Sequence, residues 1–157
     1  MLLVDFDGVL NPFAATDCPP GFSEYDLDEF PGDQPVRLNP AHARWLRDLA
    51  PLYEMAWASA CPEDLNLYCE RLIRLAPMQR IPMPQPPFDP EQKVGAVDAF
   101  VGNRAIAWLD DAFGELPRRW ARDRRAPTLL VDVDPATGLT FDLIALVAAW
   151  PRSFTAP

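Results

Sequence analysis

Short apolar runs that end in small or acidic residues recur along the chain. The first covers residues 2–5, others cover 53–59, 106–109 and 129–134, and a weaker run flanked by prolines covers 78–83. A continuous apolar run without polar alternation is typical of a strand buried on both faces of a parallel sheet. The pattern therefore predicts a mostly parallel sheet of short strands.

Helical patterns with recognisable capping residues lie between these runs. Asn39, Asp89 and Thr140 are predicted N-caps, the first two followed directly by proline, and a further helix is predicted to begin at Pro62. Strands that alternate with helices are characteristic of α/β proteins. We therefore expect a Rossmann-like three-layer sandwich with a mostly parallel central sheet.

One segment does not follow the alternation. Residues 11–39 are rich in Pro, Gly, Asp and aromatic residues and have no sustained period, so we expect a short irregular insertion with at most one short element. A chain of 157 residues with 49% hydrophobic content can bury one core. The expected organisation is a single domain over residues 1–157.

Composition restricts the classes of function. The formal net charge of −9 argues against general coating of nucleic acid. No apolar run has the length of a membrane span, and no basic leader precedes the first strand, so we expect a cytoplasmic protein without an obligate protein partner. The three cysteines lack metal-binding or redox spacing and are interpreted as reduced thiols.

The first predicted strand ends in Asp-Phe-Asp-Gly, which puts two carboxylates in one tight loop. A carboxylate that attacks a phosphoryl group must be ionised and must be neutralised by cations. Asp5 suits that role. A carboxyl two residues later can protonate the leaving oxygen and then deprotonate water, which suits Asp7. The alternative is that both residues only form a turn.

Three further polar positions follow in chain order. The Ser59 hydroxyl, with backbone N–H groups around Phe6 and Ala60, can contact a phosphate, and Lys93 can neutralise it. Ser59 could instead be a helix N-cap. Lys93 could be a solvated residue in a first helical turn, although a cation there opposes the helix dipole.

The strand over 106–109 leads into a pair of acidic residues, Asp110 and Asp111. Magnesium takes a few carboxylate or carbonyl oxygens and keeps several waters. Asp5, the backbone carbonyl of Asp7 and one of the two paired carboxylates would suffice as metal ligands. The alternative is an ordinary loop pair.

The order of these groups resembles the four motifs of the haloacid dehalogenase-like (HAD) superfamily, from Leu2 to about Trp150. The segments VDFDGVLNP, MAWASA, AIAWLDDAF and DPATGLTFDLIALVAAW resemble the HAD domain of Swiss Army Knife RNA repair proteins. The resemblance implies Asp5 as nucleophile, Asp7 as general acid and base, and Ser59 and Lys93 as phosphate contacts. It also implies Asp111, in preference to Asp110, as the direct metal ligand.

The function expected from this resemblance is magnesium-dependent hydrolysis of a phosphomonoester through an aspartyl-phosphate. The segments on either side of Ser59 are too short for a folded cap, so we expect a minimal cap or none. The substrate would be a small phosphorylated molecule such as a nucleotide, or the 3′-phosphate end of a nucleic acid. The alternatives are a phosphate-binding or regulatory domain with little turnover, and a phosphotransferase.

Several remaining features have two interpretations. The arginines between 118 and 125 could receive a polyanion or could lie on a charged, exposed helix. The acidic residues between 24 and 33 could pair with those arginines or keep the insertion soluble. His42 is expected to be a surface or structural residue, and Cys61 to be a core or loop thiol near the phosphate site. Three tryptophans are expected in the core: Trp45, Trp57 and Trp108.

Overall fold

The computed structural model describes residues 1–27, 35–62, 64–84 and 87–155. Its strands are, in chain order, β1 (Leu2–Val4), β2 (Ser23–Tyr25), β3 (Val36–Leu38), β4 (Met55–Trp57), β5 (Gln79–Arg80), β6 (Ile106–Asp110) and β7 (Thr128–Asp132). Five of them form one parallel sheet in the order β5-β4-β1-β6-β7, and β2 pairs with β3 in a separate antiparallel ribbon. The predicted parallel sheet is confirmed.

Helices cover both faces of the sheet. They are α1 (Pro40–Leu49), α2 (Leu65–Ile73), α3 (Lys93–Val101), α4 (Glu115–Asp123), α5 (Phe141–Ala149) and α6 (Arg152–Thr155), with a 3₁₀ turn at Pro90–Gln92 before α3. Leu2 and Val4 pack in one core with residues of α1, α2 and α5, whereas Leu3 packs in a second core with residues of α3 and α4. Because successive strand residues face opposite sides, β1 contributes to both cores. The result is the Rossmann-like α/β sandwich that the sequence predicted.

Three of the helix starts follow from capping chemistry. The side chains of Asn39, Asp89 and Thr140 accept hydrogen bonds from backbone N–H groups at the beginning of the helical segments that they precede. Trp57 and Trp108 are buried in the core, as expected, whereas Trp45 is only partly buried and packs against the core. Among the described residues, no helix is long and apolar enough to span a membrane.

The structure corrects two predictions. Residues 11–39 contain two strands, not at most one, because β2 and β3 are only three residues long and their pairing joins separated parts of the segment. The helix expected from Pro62 begins at Leu65, where Asp64 takes the N-cap position without a side-chain hydrogen bond. Ser59 therefore does not cap that helix.

Candidate active site

The predicted site residues meet at one edge of the sheet because their strands are neighbours. β1 lies between β4 and β6, and all three run in the same direction. Asp5 follows β1, Ser59 lies just beyond β4, and Asp110 is the last residue of β6. Ligands of such sheets bind outside the carboxyl ends of the strands.

Lys93 extends from the first turn of α3 into this edge and is buried. Its Nζ donates to Asp5 Oδ2 at 2.5 Å and to Asp110 Oδ2 at 2.8 Å. The alternative of a solvated lysine is therefore wrong. A buried cation paired with two buried carboxylates needs such contacts, since an unpaired charge in this position would be strongly destabilising.

Three carboxylates converge beside this lysine. Asp5, Asp110 and Asp111 each offer one oxygen, and the three oxygens lie within 4.8 Å of one another. Asp5 Oδ1 accepts from the N–H of Phe6 at 2.8 Å, and Asp110 Oδ1 accepts from the N–H of Ala112 at 3.0 Å. All-oxygen carboxylate ligands suit a hard divalent cation such as Mg²⁺, although they also suit Ca²⁺ or Mn²⁺.

The charges in this cluster are unbalanced. Burial raises the pKa of Asp5 to about 7; the Asp110 carboxylate adds to this rise and Lys93 opposes it. Burial alone would lower the pKa of Lys93, but the Asp5 and Asp110 carboxylates outweigh it and raise that pKa. Burial, followed by the charge of Asp110, also raises the pKa of Asp111. One ammonium against three carboxylates leaves an excess that a divalent cation would neutralise.

Gly8 allows Asp111 to approach the loop that follows β1. The glycine has a φ of +76°, and a Cβ at this position would lie 2.3 Å from Cγ of Asp111. Both the backbone conformation and the close contact therefore exclude a side chain here. The turn at Gly8 brings the loops after β1 and β6 together.

Asp7 is half-buried and its carboxylate stands apart from the three-carboxylate cluster. Its Oδ1 accepts from Asn11 Nδ2 at 2.8 Å, and the thiol of Cys61 lies 3.6 Å from its Oδ2. Only the backbone carbonyl of Asp7 was predicted to bind the metal. The side chain of Asp7 lies beside the three-carboxylate cluster, in the same loop as Asp5.

Ser59 is buried in the loop after β4. Its hydroxyl donates to Cys61 Sγ at 3.0 Å and lowers the pKa of Asp5, as a smaller influence than burial or the neighbouring charges. Ala60, the next residue, is partly buried, and its contact with a phosphate stays a prediction. Burial and the nearby Asp7 carboxylate raise the pKa of Cys61, so this thiol is a poor nucleophile.

Two residues of this region were not predicted. Asn11 contacts Asp7 directly, and the guanidinium of Arg80 donates to the backbone carbonyls of Cys61 and Pro62. Asn11 lies four residues after Asp7 in a loop, and that spacing alone only weakly indicates a contact between the two side chains. Arg80 lies on the edge strand β5, and nothing in its local sequence indicated a contact with the loop after β4.

Most of the arginine cluster has partners within the protein. Arg118 pairs with Asp132 at 2.5 Å, Arg122 pairs with Glu115 at 2.9 Å, and the guanidinium of Arg124 stacks over the Trp120 ring. These arginines lie on α4 or at its end, which confirms a charged helix. The side chains of Arg118 and Arg122 are 40% and 63% exposed, and exposed ion pairs are weak, so the interpretation as a polyanion receptor stays open.

Glu24, from the acidic stretch, and His42 both have partners within the protein. Glu24 pairs with Arg37 across the β2–β3 ribbon, whereas Asp28, Glu29 and Asp33 lie outside the described residues. His42 is fully buried, and its Nε2 lies 3.1 Å from the carbonyl oxygen of Leu139. Of the two expectations for this histidine, surface or structural, the structural one is confirmed.

A groove of about 570 Å³ lies between α1 and α2, lined in part by Tyr53, Met55 and Gln79. These residues lie at the beginnings of β4 and β5, whereas the carboxylate cluster lies at the ends of the strands. The groove therefore does not belong to the candidate site.

Comparison of the chain with protein-family models, with curated proteins and with solved structures gave no match. The resemblance to the haloacid dehalogenase-like superfamily therefore rests on the residues of this chain.

Proposed function

We propose that this chain is a magnesium-dependent phosphomonoester hydrolase of the haloacid dehalogenase-like type, with Asp5 as the nucleophile. The observation that carries the proposal is the position of Lys93, whose buried ammonium contacts Asp5 and Asp110 while Asp111 completes a three-carboxylate cluster. A nucleophilic carboxylate, a fixed cation and a metal-binding carboxylate set are the groups that phosphoryl transfer through an aspartate requires.

Asp5, Asp111 and the backbone carbonyl of Asp7 would hold the magnesium ion. Both Asp5 and Asp110 accept from Lys93 and from a backbone N–H, and the preference for Asp111 over Asp110 as the direct ligand rests on the resemblance. The ion would neutralise negative charge on the phosphoryl group and on the nucleophile.

Lys93 would contact the phosphate while it holds the nucleophile. An ammonium has three N–H bonds, and the contacts with Asp5 and Asp110 use two of them. The third can donate to a phosphate oxygen, and the Ser59 hydroxyl and the N–H of Ala60 would contact other oxygens of the same group.

In the first step, a carboxylate oxygen of Asp5 attacks phosphorus, and the bond to the leaving oxygen breaks. Asp7 gives its proton to that oxygen. In the second step, Asp7 takes a proton from water, the water oxygen attacks phosphorus, and inorganic phosphate leaves as Asp5 is regenerated. The leading substrate classes are nucleotides and nucleic-acid 3′-phosphate ends, by resemblance.

The test is release of inorganic phosphate from a panel of phosphomonoesters that includes 3′-phosphate oligonucleotides, with and without Mg²⁺. We expect the wild type to be active only with Mg²⁺ and Asp5→Asn to be inactive. Asp48→Asn, an exposed aspartate on α1, is the matched control and should retain activity. No release from any substrate by folded protein in Mg²⁺ would favour the phosphate-binding alternative, and turnover that rises with added alcohol would favour phosphotransfer.

A further inference from the structure

The two carboxylate oxygens of Asp7 have unequal partners. Oδ1 accepts a hydrogen bond from the carboxamide nitrogen of Asn11 at 2.8 Å, whereas the donor to Oδ2 is the thiol of Cys61 at 3.6 Å. A neutral N–H donor at 2.8 Å makes a full hydrogen bond, but a thiol is a weak donor. Oδ1 is therefore held firmly, and Oδ2 is held weakly.

The orientation of the Asn11 carboxamide is determined by a second contact. Its Oδ1 accepts from the backbone N–H of Arg37 at 2.9 Å. Because a backbone N–H can only donate, the oxygen of the carboxamide must face Arg37, and its nitrogen must face Asp7. A flipped carboxamide would lose both hydrogen bonds in a buried position.

Asn11 is also fixed through its backbone and through the β2–β3 ribbon. The N–H of Gly8 donates to the Asn11 carbonyl at 2.8 Å, and the Asn11 N–H donates to the Phe6 carbonyl at 3.0 Å. Arg37, which holds the carboxamide, lies in β3 and is itself tied to Glu24 at 3.0 Å. The ribbon therefore supports the position of Asn11 beside Asp7.

We infer that Asn11 is a positioning residue that fixes Asp7 and directs its proton to Oδ2. The inference rests on the proposed phosphatase function, in which Asp7 is the general acid. A proton on Oδ1 would face the N–H donor of Asn11, which cannot accept it, so a protonated Asp7 carries its proton on Oδ2. That proton passes to the leaving oxygen as the P–O bond breaks and its electron pair moves to the oxygen.

This assignment predicts a dependence on the leaving group. A leaving group of low pKa departs without protonation, whereas an alkoxide needs the proton of a correctly oriented acid. Loss of the Asn11 contact should therefore slow the hydrolysis of alkyl phosphates far more than that of a dinitrophenyl phosphate. A general structural defect would slow both reactions by the same factor.

The experiment measures kcat/KM with Mg²⁺ for a series from 2,4-dinitrophenyl phosphate to alkyl phosphates. This ratio reports the steps up to departure of the leaving group, so hydrolysis of the aspartyl-phosphate does not obscure the result. Asn11→Asp keeps the acceptor for Arg37 but replaces the donor to Asp7 with an acceptor. Asn11→Ala removes both contacts and provides a second test if Asn11→Asp does not fold.

Asn66→Ala is the matched control, because Asn66 also bridges two segments, with hydrogen bonds to Trp57 and Met78, but lies on α2. We expect either Asn11 variant to lose at least about tenfold more activity on alkyl than on dinitrophenyl phosphate, and Asn66→Ala to show no such difference. An equal loss across the series, or no loss, in a folded Asn11 variant would overturn the inference while wild-type activity upheld the proposed function. A wild type inactive on every ester would overturn both.

Discussion

The ammonium of Lys93 and the carboxylate of Asp110 lie 2.8 Å apart, and their side chains are only 9% and 2% exposed. Lys93 begins α3, whereas Asp110 ends β6, so the contact joins a helix to the central strand layer. Because the same ammonium also contacts Asp5, one residue neutralises charge at the carboxyl ends of two neighbouring strands, β1 and β6. Stability and the proposed chemistry therefore depend on the same side chain.

Replacement of this lysine by an apolar residue of similar length should strongly destabilise the protein. Lys93→Met leaves the buried carboxylates of Asp5 and Asp110 without their cation, and breaking a buried pair in this way costs about 3 to 5 kcal/mol. Urea unfolding at neutral pH, without added metal, measures the loss. A variant as stable as the wild type would show that the pair contributes no net stability.

The double variant Lys93→Met/Asp110→Asn provides the control for that measurement. Removing the charge of Asp110 relieves part of the penalty, so the double variant should be more stable than Lys93→Met alone. With Asp110→Asn alone as the fourth protein, the wild type and these variants form a double-mutant cycle for two residues in direct contact. Lys93→Met and the double variant should both lack phosphatase activity, because the cation that would contact the phosphate is missing from each.

The sequence indicated the general architecture because the relevant signals are local. Apolar runs predicted the parallel strands, and Asn39, Asp89 and Thr140 marked the helix starts through short-range hydrogen bonds. The strand ends then placed Asp5 and Asp110 at the same edge of the sheet, since carboxyl ends of neighbouring parallel strands meet there.

The features that the sequence did not predict depend on contacts between residues that are distant along the chain. The β2–β3 ribbon joins two three-residue strands, which are too short to show a period. The hydrogen bond from the Arg37 N–H to Asn11 joins the two ends of the same segment. The sequence therefore gave no indication that Asn11 holds the Asp7 carboxylate. The partner of Arg118, Asp132, lies on β7, and only the fold reveals this pair.

His42 should make stability depend on pH. Burial lowers its pKa from 6.5 to about 4, although the Leu139 carbonyl opposes the shift. Above pH 6.5 both the folded and unfolded states hold neutral His42 and its full contribution is present. As the pH falls from 6.5 to 4 the unfolded state binds a proton that the folded state resists. Up to about 3 kcal/mol of stability is then lost, at 1.36 kcal/mol per pKa unit.

The measurement compares urea unfolding of the wild type and His42→Gln between pH 4 and 7.5. Glutamine is not titratable and retains an N–H donor that can reach the Leu139 carbonyl. The raised pKa of Asp5 acts in the opposite direction over this range, but it is common to both proteins and cancels in the difference. We expect the wild type to lose stability relative to the variant as the pH falls. Parallel curves would contradict the assignment.

The three cysteines should react at very different rates. Cys18 is exposed, whereas Cys61 and Cys69 are buried, and burial raises the pKa of Cys69 to about 12 and also raises that of Cys61. Because the thiolate is the reactive form, iodoacetamide at pH 8 should modify Cys18 first. Peptide mass spectrometry over a time course checks the order. Modification of Cys61 at the rate of Cys18, in folded protein, would contradict the buried position of this thiol beside Asp7.

Magnesium should stabilise the wild type, and Gly8 should be required for this effect. At about 100-fold above its dissociation constant, a ligand specific to the folded state adds about 2.7 kcal/mol to stability. In Gly8→Ala, the new Cβ would lie 2.3 Å from Cγ of Asp111 and displace the proposed ligand. Thermal unfolding with and without Mg²⁺ should therefore show a shift in the wild type and none in Gly8→Ala or Asp111→Asn.

Gly102→Ala separates loss of the metal site from backbone strain. Gly102 also has a positive φ, of +54°, but a Cβ there meets no atom within 4 Å. This variant should be less stable than the wild type because a side chain is strained in that conformation. It should nevertheless keep the full magnesium shift, because Asp111 is undisturbed. A magnesium shift in Asp111→Asn equal to that in Gly102→Ala would exclude Asp111 from the metal site, and an equal shift in Gly8→Ala would show that the new Cβ does not displace it.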